Sequence, residues 1–130
     1  MNGLSLSTLM RRVAPVAGGT LTAAVLVAGC GSGDDAPANA TKLSFELTDA
    51  GCVPSSAKAP AGPVEFEVVN SGTSKVTEFE VLEGDEILGE RENLSDGLSG
   101  EFTLDLEQGE YVLYCPGGET EKGALTITGS

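Results

Sequence analysis

A chain of 130 residues with 20 acidic and 7 basic side chains, a formal net charge of −13, and neither His nor Trp has room for one domain built on aliphatic residues and Phe. So acidic a surface excludes nucleic acids and anionic lipid headgroups as partners, because both require a basic face. It suits the attraction of cations, or simply the solubility of an extracellular protein.

Residues 1–12 are polar and end in Arg11-Arg12, and residues 13–29 are uncharged. That run is too short and too rich in Gly, Ala and Thr for a membrane span, so residues 1–29 are expected to form a signal peptide. It closes on Leu26-Val-Ala-Gly-Cys30, which resembles the bacterial lipoprotein signal. The resemblance implies cleavage before Cys30, diacylation of its sulfur and acylation of its amine. Each buried CH2 contributes about 0.8 kcal/mol, so two or more chains would hold the protein at a membrane without a spanning helix. A secretory peptide with an incidental cysteine is the alternative. Residues 30–40, rich in Gly, Ser, Ala and Asp, are expected to form a flexible tether, which leaves residues 41–130 as the domain.

Residues 41–48 alternate Leu43, Phe45 and Leu47 with Lys42, Ser44 and Glu46, the pattern of a half-buried strand. Asp49-Ala-Gly51 turns the chain and Cys52 follows. Residues 53–62 contain Pro54 and Pro60, which suit an edge strand or a loop. Residues 63–69 set Val64, Phe66 and Val68 against Glu65 and Glu67, and Asn70-Ser-Gly72 stops them. The pattern predicts a strand over residues 76–82, with Val76, Glu78, Glu80 and Leu82 on one face and Thr77, Phe79 and Val81 on the other.

Gly84-Asp85 turns into residues 86–94, where the alternation is weaker, and Asp96-Gly97 turns again. Residues 99–106 place Phe102, Leu104 and Leu106 on one face. Gln108-Gly109 leads into a closing pair, residues 111–114 and 124–128, on either side of Cys115 and a short loop. About seven short strands at regular turn spacing predict an all-β, Greek-key β-sandwich. No stretch has helical periodicity. Phosphate loops, nucleophile elbows and HExxH pairs are absent from the sequence, which argues against an enzyme.

With Cys30 assigned to the leader, Cys52 and Cys115 remain. In an oxidising compartment their default is a disulfide, worth roughly 4 kcal/mol for a loop of this length in the chain-entropy model. Thiolate ligation, a redox-active pair or two separate thiols are the alternatives. The strand, Cys115, loop and last strand resemble the copper-binding segment of cupredoxins, whose loop carries His and often Met. Here no His occurs and both Met residues, Met1 and Met10, lie in the leader. A type 1 copper site needs two imidazoles beside its thiolate, so none is expected.

Carboxylates are the donors left, and they suit hard cations such as ferric iron, calcium or manganese, with Cu(II) tolerated. Glu78 and Glu80, two apart on one strand face, are candidate ligands or a solvated edge. Glu119 and Glu121 stand in the loop after Cys115, where the absent imidazole would be, as ligands or as ordinary loop acids.

Cys52 after a turn, Glu78-Phe-Glu80, Glu90-Arg-Glu-Asn-Leu94, Gly109-Glu-Tyr111, and Cys115 followed by Lys122-Gly-Ala-Leu125 resemble the cupredoxin-like domain of EfeO-type iron-uptake proteins. The resemblance spans nearly all of residues 41–129. In that family the domain precedes a larger peptidase-like domain with an HxxE metal motif, which this chain is expected to lack. The resemblance implies an extracytoplasmic protein that passes iron to a membrane permease. It also implies a sandwich that takes copper or ferric iron on Cys and acidic side chains. Carried over by position, the metal set is Cys52, Glu78 and Cys115, with Glu119 or Asp96 as the fourth donor.

The expectation is therefore a monomeric, lipid-anchored, non-catalytic module for Fe(III) or Cu(II) in metal uptake or homeostasis. It would sit at the cell membrane, on the periplasmic or extracellular side, with an iron permease or another uptake component as partner. The alternative is a disulfide-stabilised structural or interaction sandwich with no metal site.

Overall fold

Alternation of apolar and polar residues along residues 41–128 resolves into two packed sheets in the computed structural model, which describes residues 35–129. The leader, residues 1–29, and the lipidation candidate Cys30 lie outside the described residues. The described part of the tether, residues 35–40, carries only a turn closed by Ala40 N–H on the Pro37 carbonyl at 2.8 Å.

Nine strands follow among the described residues: β1 (Thr41–Thr48), β2 (Gly51–Val53), β3 (Ser56–Pro60), β4 (Gly62–Asn70), β5 (Phe79–Glu83), β6 (Glu86–Arg91), β7 (Ser99–Leu106), β8 (Gly109–Tyr114) and β9 (Lys122–Thr128). One sheet runs β2-β1-β4-β7 and the other β3-β9-β8-β5-β6. The β1–β4 and β3–β9 pairs are parallel, and the chain crosses repeatedly between the sheets. The sandwich is all-β, as the alternation predicts. Residues 53–62 do contain an edge strand, β3, with Pro60 at its end, where a missing N–H costs no ladder bond.

All four Phe residues of the chain meet between the sheets. The Phe45 and Phe79 centroids lie 4.9 Å apart and those of Phe66 and Phe102 5.0 Å apart, within the range of favourable aromatic pairs. Val64, Val68, Leu47, Leu113 and Leu125 fill the space around them with essentially no exposure. Tyr111 is buried with its hydroxyl donating to the Glu107 carbonyl at 2.9 Å, so its one polar atom is satisfied.

The strand predicted over residues 76–82 begins instead at Phe79. Asn70 is the reason. Its side chain is 1% exposed; Nδ2 donates to the carbonyls of Thr73 at 2.8 Å and Leu94 at 2.7 Å, and Oδ1 accepts from the N–H groups of Gly72 and Thr73. These bonds satisfy a loop that would otherwise leave buried backbone unpaired, and they hold residues 71–76 off the ladder. Val76 consequently turns inward and is fully buried beside Phe79, against the expectation that it shares a face with Glu78.

Cys52 of β2 is bonded to Cys115 at the end of β8, with the Cα atoms 5.7 Å apart. The bond ties one sheet to the other and closes a sequence separation of 63 residues. Replacing both cysteines by Ala is expected to cost about 2–5 kcal/mol. Phe66→Ala, which empties the centre of the aromatic cluster, is expected to cost about 3–5 kcal/mol. Urea unfolding monitored by circular dichroism measures both.

Candidate metal centre

The inward placement of Phe79 and Val81, both without exposure, forces their neighbours outward, since successive strand side chains point to opposite faces. Glu80 therefore lies on the outer face of β5, directly across from Glu90 of β6 and Tyr114 of β8. The pairing continues beyond the strand ends through Leu94 N–H on the Thr77 carbonyl at 2.9 Å, which brings Glu92 to Glu78. One carboxylate oxygen from each of Glu78, Glu90 and Glu92 lies within 4.8 Å of the others. Glu80, hydrogen-bonded to Glu78 and opposite Glu90, lies beside them.

The register that achieves this is irregular. From the turn, Glu83 pairs with Glu86 and Leu82 with Ile87, but Val81 pairs with Gly89, so a bulge inserts one residue in β6. Without it, Glu78 would face Arg91 and the acids of β6 would point to the core side. Gly89 also has to be glycine, because a Cβ there would stand 2.8 Å from Cε2 of Phe102.

Glu80 is 6% exposed, and its carboxyl is pushed up from 4.5 to about 7. Burial is the larger cause; a hydrogen bond with Glu78 and the charges of Glu78, Glu90 and Glu92 add to it. Like charges opposed across a ladder repel, so the cluster relieves itself by holding a proton. A bound cation would relieve the same repulsion, and the donor set, all carboxylate oxygen, fits a hard ion.

The residues singled out from the sequence fall in three places. Glu78 joins the carboxylate cluster. Cys52 and Cys115 are bonded to each other, so neither is a thiolate donor in this form. Glu119 is exposed in the loop after Cys115, its N–H bonded to the Asp49 carbonyl at 3.0 Å, and it belongs to neither acidic group. Asp96 is likewise an exposed turn residue. Glu121 closes its own loop, accepting from Gly117 N–H at 2.9 Å. Glu90 and Glu92 were not among the expected ligands, and only the bulged register reveals them.

A second acidic trio, Glu65, Glu67 and Glu101, lies on the other sheet. It already holds a cation, the Lys42 ammonium, at 2.9 Å from Glu65 and 3.2 Å from Glu67.

The folded-state value of Glu80 lies above its ordinary one, so the group favours folding fully below about pH 4.5, and that contribution is lost as the pH rises through about 7. Urea midpoints of the metal-free protein should fall over this interval. Glu80→Gln should flatten the fall and make the variant the more stable protein above neutrality, as comparison of the two profiles will show.

The sequence and the fold have known relatives. The family described as "Cupredoxin-like domain" matches residues 20–127. The iron uptake system component EfeO of Yersinia pestis is 34% identical over 91 residues, and that of Escherichia coli K12 is 32% identical over 92 residues. These alignments cover 70% and 71% of this chain and 24% of each relative, so the chain spans about a quarter of the curated relatives' length. Among solved structures, auracyanin B superposes with a TM-score of 0.60 at 19% identity, covering 74% of this chain and 96% of that one. An auracyanin from Roseiflexus castenholzii gives 0.58 at 15%, covering 68% and 98%. The fold, the family match and the EfeO alignments agree: the chain belongs to the cupredoxin-like domain family, as a domain of the EfeO type.

Proposed function

We propose that the chain is a membrane-anchored, extracytoplasmic iron-binding module of a metal-uptake system, which holds its cargo without transforming it. The observation that carries this reading is the convergence of Glu78, Glu90 and Glu92 within 4.8 Å of one another, beside a buried fourth acid, Glu80. Ferric iron is a hard ion that prefers such oxygens, and Cu(II) is the other ion the set accommodates. Relatives named as iron uptake components support iron as the cargo. The anchor is assigned to Cys30 by its lipoprotein-type signal, and the partner to an iron permease or another uptake component.

In this proposal the ion rests on Glu78, Glu90 and Glu92, with Glu80 releasing its proton to complete the charge balance. Cys52 and Cys115 brace the fold while bonded and become donors only on reduction, when Glu119 in the adjoining loop joins them as the expected alternative set. The bonded cysteines favour one rival reading, a disulfide-braced interaction sandwich that binds no metal.

Titrating the metal-free chain with ferric nitrilotriacetate at neutral pH separates the two. One saturable site is expected with the disulfide intact, weakened at least about tenfold (1.4 kcal/mol) by Glu90→Gln and unchanged by Glu119→Gln. No saturable binding with the disulfide intact or reduced would leave the rival standing, and loss of binding only in a Cys52→Ser, Cys115→Ser protein would move the ion to the sulfurs.

A further inference from the structure

The outer face of the four-stranded sheet carries a different constellation, away from Glu78 and its neighbours. Phe45, Leu47, Phe66, Val68 and Phe102 point into the core, so Ser44, Glu46, Glu67, Val69 and Glu101 point out. The ladders set Glu46 beside both Val53 and Val69, and Glu67 beside Ser44 and Glu101. With Pro54, these residues border a groove of about 800 Å³.

Two properties of the groove point to a polypeptide. The first is concentrated apolar exposure. Val53 is 44% exposed and Val69 37%, and Leu98, at 52%, adjoins Ser99 on the rim. They are three of the four large apolar side chains exposed among the described residues; Val53 and Val69 line the groove on either side of Glu46, and apolar exposure held in a groove marks an interaction surface.

The second is one-sided charge. Glu46, Glu67 and Glu101 line the groove and no basic residue does. The carboxylates of Glu46 and Glu101 have no hydrogen bond or ion pair among the described residues. Lys42, just beyond the end of the groove, shows how this face receives an ammonium, between Glu65 and Glu67.

We propose that this groove docks an extended segment of a partner protein in which basic side chains alternate with small apolar ones. An extended chain repeats every two residues, as the sheet beneath it does. Its basic groups would meet Glu46 and Glu101 while its apolar groups cover Val53 and Val69. Charge of this kind sets orientation and partner choice, and the apolar contact sets the lifetime of the complex. An isolated metal ion would leave the valines uncovered, and an anionic lipid surface would be repelled by the acids. The proposal stands apart from the iron site, which lies on the other sheet.

The test uses the full-length ¹⁵N-labelled chain and the peptide acetyl-Val-Lys-Val-Lys-Val-Lys-Val-amide, with binding mapped by amide chemical shifts. Saturable shifts confined to the surroundings of Glu46, Val53, Val69 and Glu101 are expected in the wild-type protein. A peptide with Ser in place of Val should bind at least about tenfold more weakly. Val69→Ser and Glu101→Gln should each reduce affinity several-fold, and Glu86→Gln, at an exposed position on the other sheet, should leave it unchanged. Shifts spread over the acids of both sheets, equal binding of the Ser peptide, or failure to saturate would overturn the proposal.

Discussion

Phe79 fixes which way the β5 side of the candidate metal centre faces. Its ring is locked among Phe45, Phe66 and Phe102, and burial of that ring determines which way β5 faces. With Phe79 and Val81 inward, Glu80 has only the outer face available. A one-residue slip of β5 would carry the acids into the core and the phenylalanine into water, and the cost of both prevents it. The acidic face is thus a consequence of core packing. It carries a penalty too: four carboxylates are gathered on the β5–β6 hairpin and beside it, and Glu80, through its burial first and the neighbouring acids second, retains a proton to near neutrality.

The opposite design operates at the loop end of the sandwich. There Cys115 is covalently tied to Cys52, and the loop that follows lies against the β1–β2 turn. Thr120 and Glu119 donate to the carbonyls of Ala50 and Asp49, each at 3.0 Å. Gly51 has φ +118°, and a Cβ there would collide with the Thr120 carbonyl oxygen. Asp49 also accepts from the Thr73 hydroxyl and pairs with Lys75, which together hold its carboxyl below the usual range. A region so fastened is suited to bracing the two sheets, whereas the outer face of β5 and β6 leaves Glu90 and the neighbouring Glu92 exposed.

Much of this was legible in the residues. Alternation at Leu43-Phe45-Leu47, Val64-Phe66-Val68 and Tyr111-Leu113 specified strands and faces, because a side-chain period of two has one structural meaning when one face is buried. The pairing of Cys52 with Cys115 was an open alternative in the sequence and is settled in the fold. The structure turns Val76 inward because the buried Asn70 side chain substitutes for ladder bonds over residues 71–76, and an alternating pattern carries no record of that. Glu90 and Glu92 escaped as ligands for a sharper reason. Counting back from the Gly84-Asp85 turn in regular register opposes Glu78 to Arg91, a plausible ion pair, and only the extra residue in β6 brings Glu90 and Glu92 to the acids of β5. Gly89, set where Phe102 leaves no room for a Cβ, was the sole local mark of that irregularity.

In the proposed function, carboxylate oxygens on the β5–β6 hairpin and its flanks, and not the cysteine sulfurs, receive the ion. An anomalous difference map at the iron edge, from crystals of the oxidised chain grown with ferric citrate, distinguishes the two. A single peak bonded to oxygens of Glu78, Glu90 and Glu92 is expected. A peak beside Cys52 and Cys115, or iron found only at lattice contacts, would contradict it.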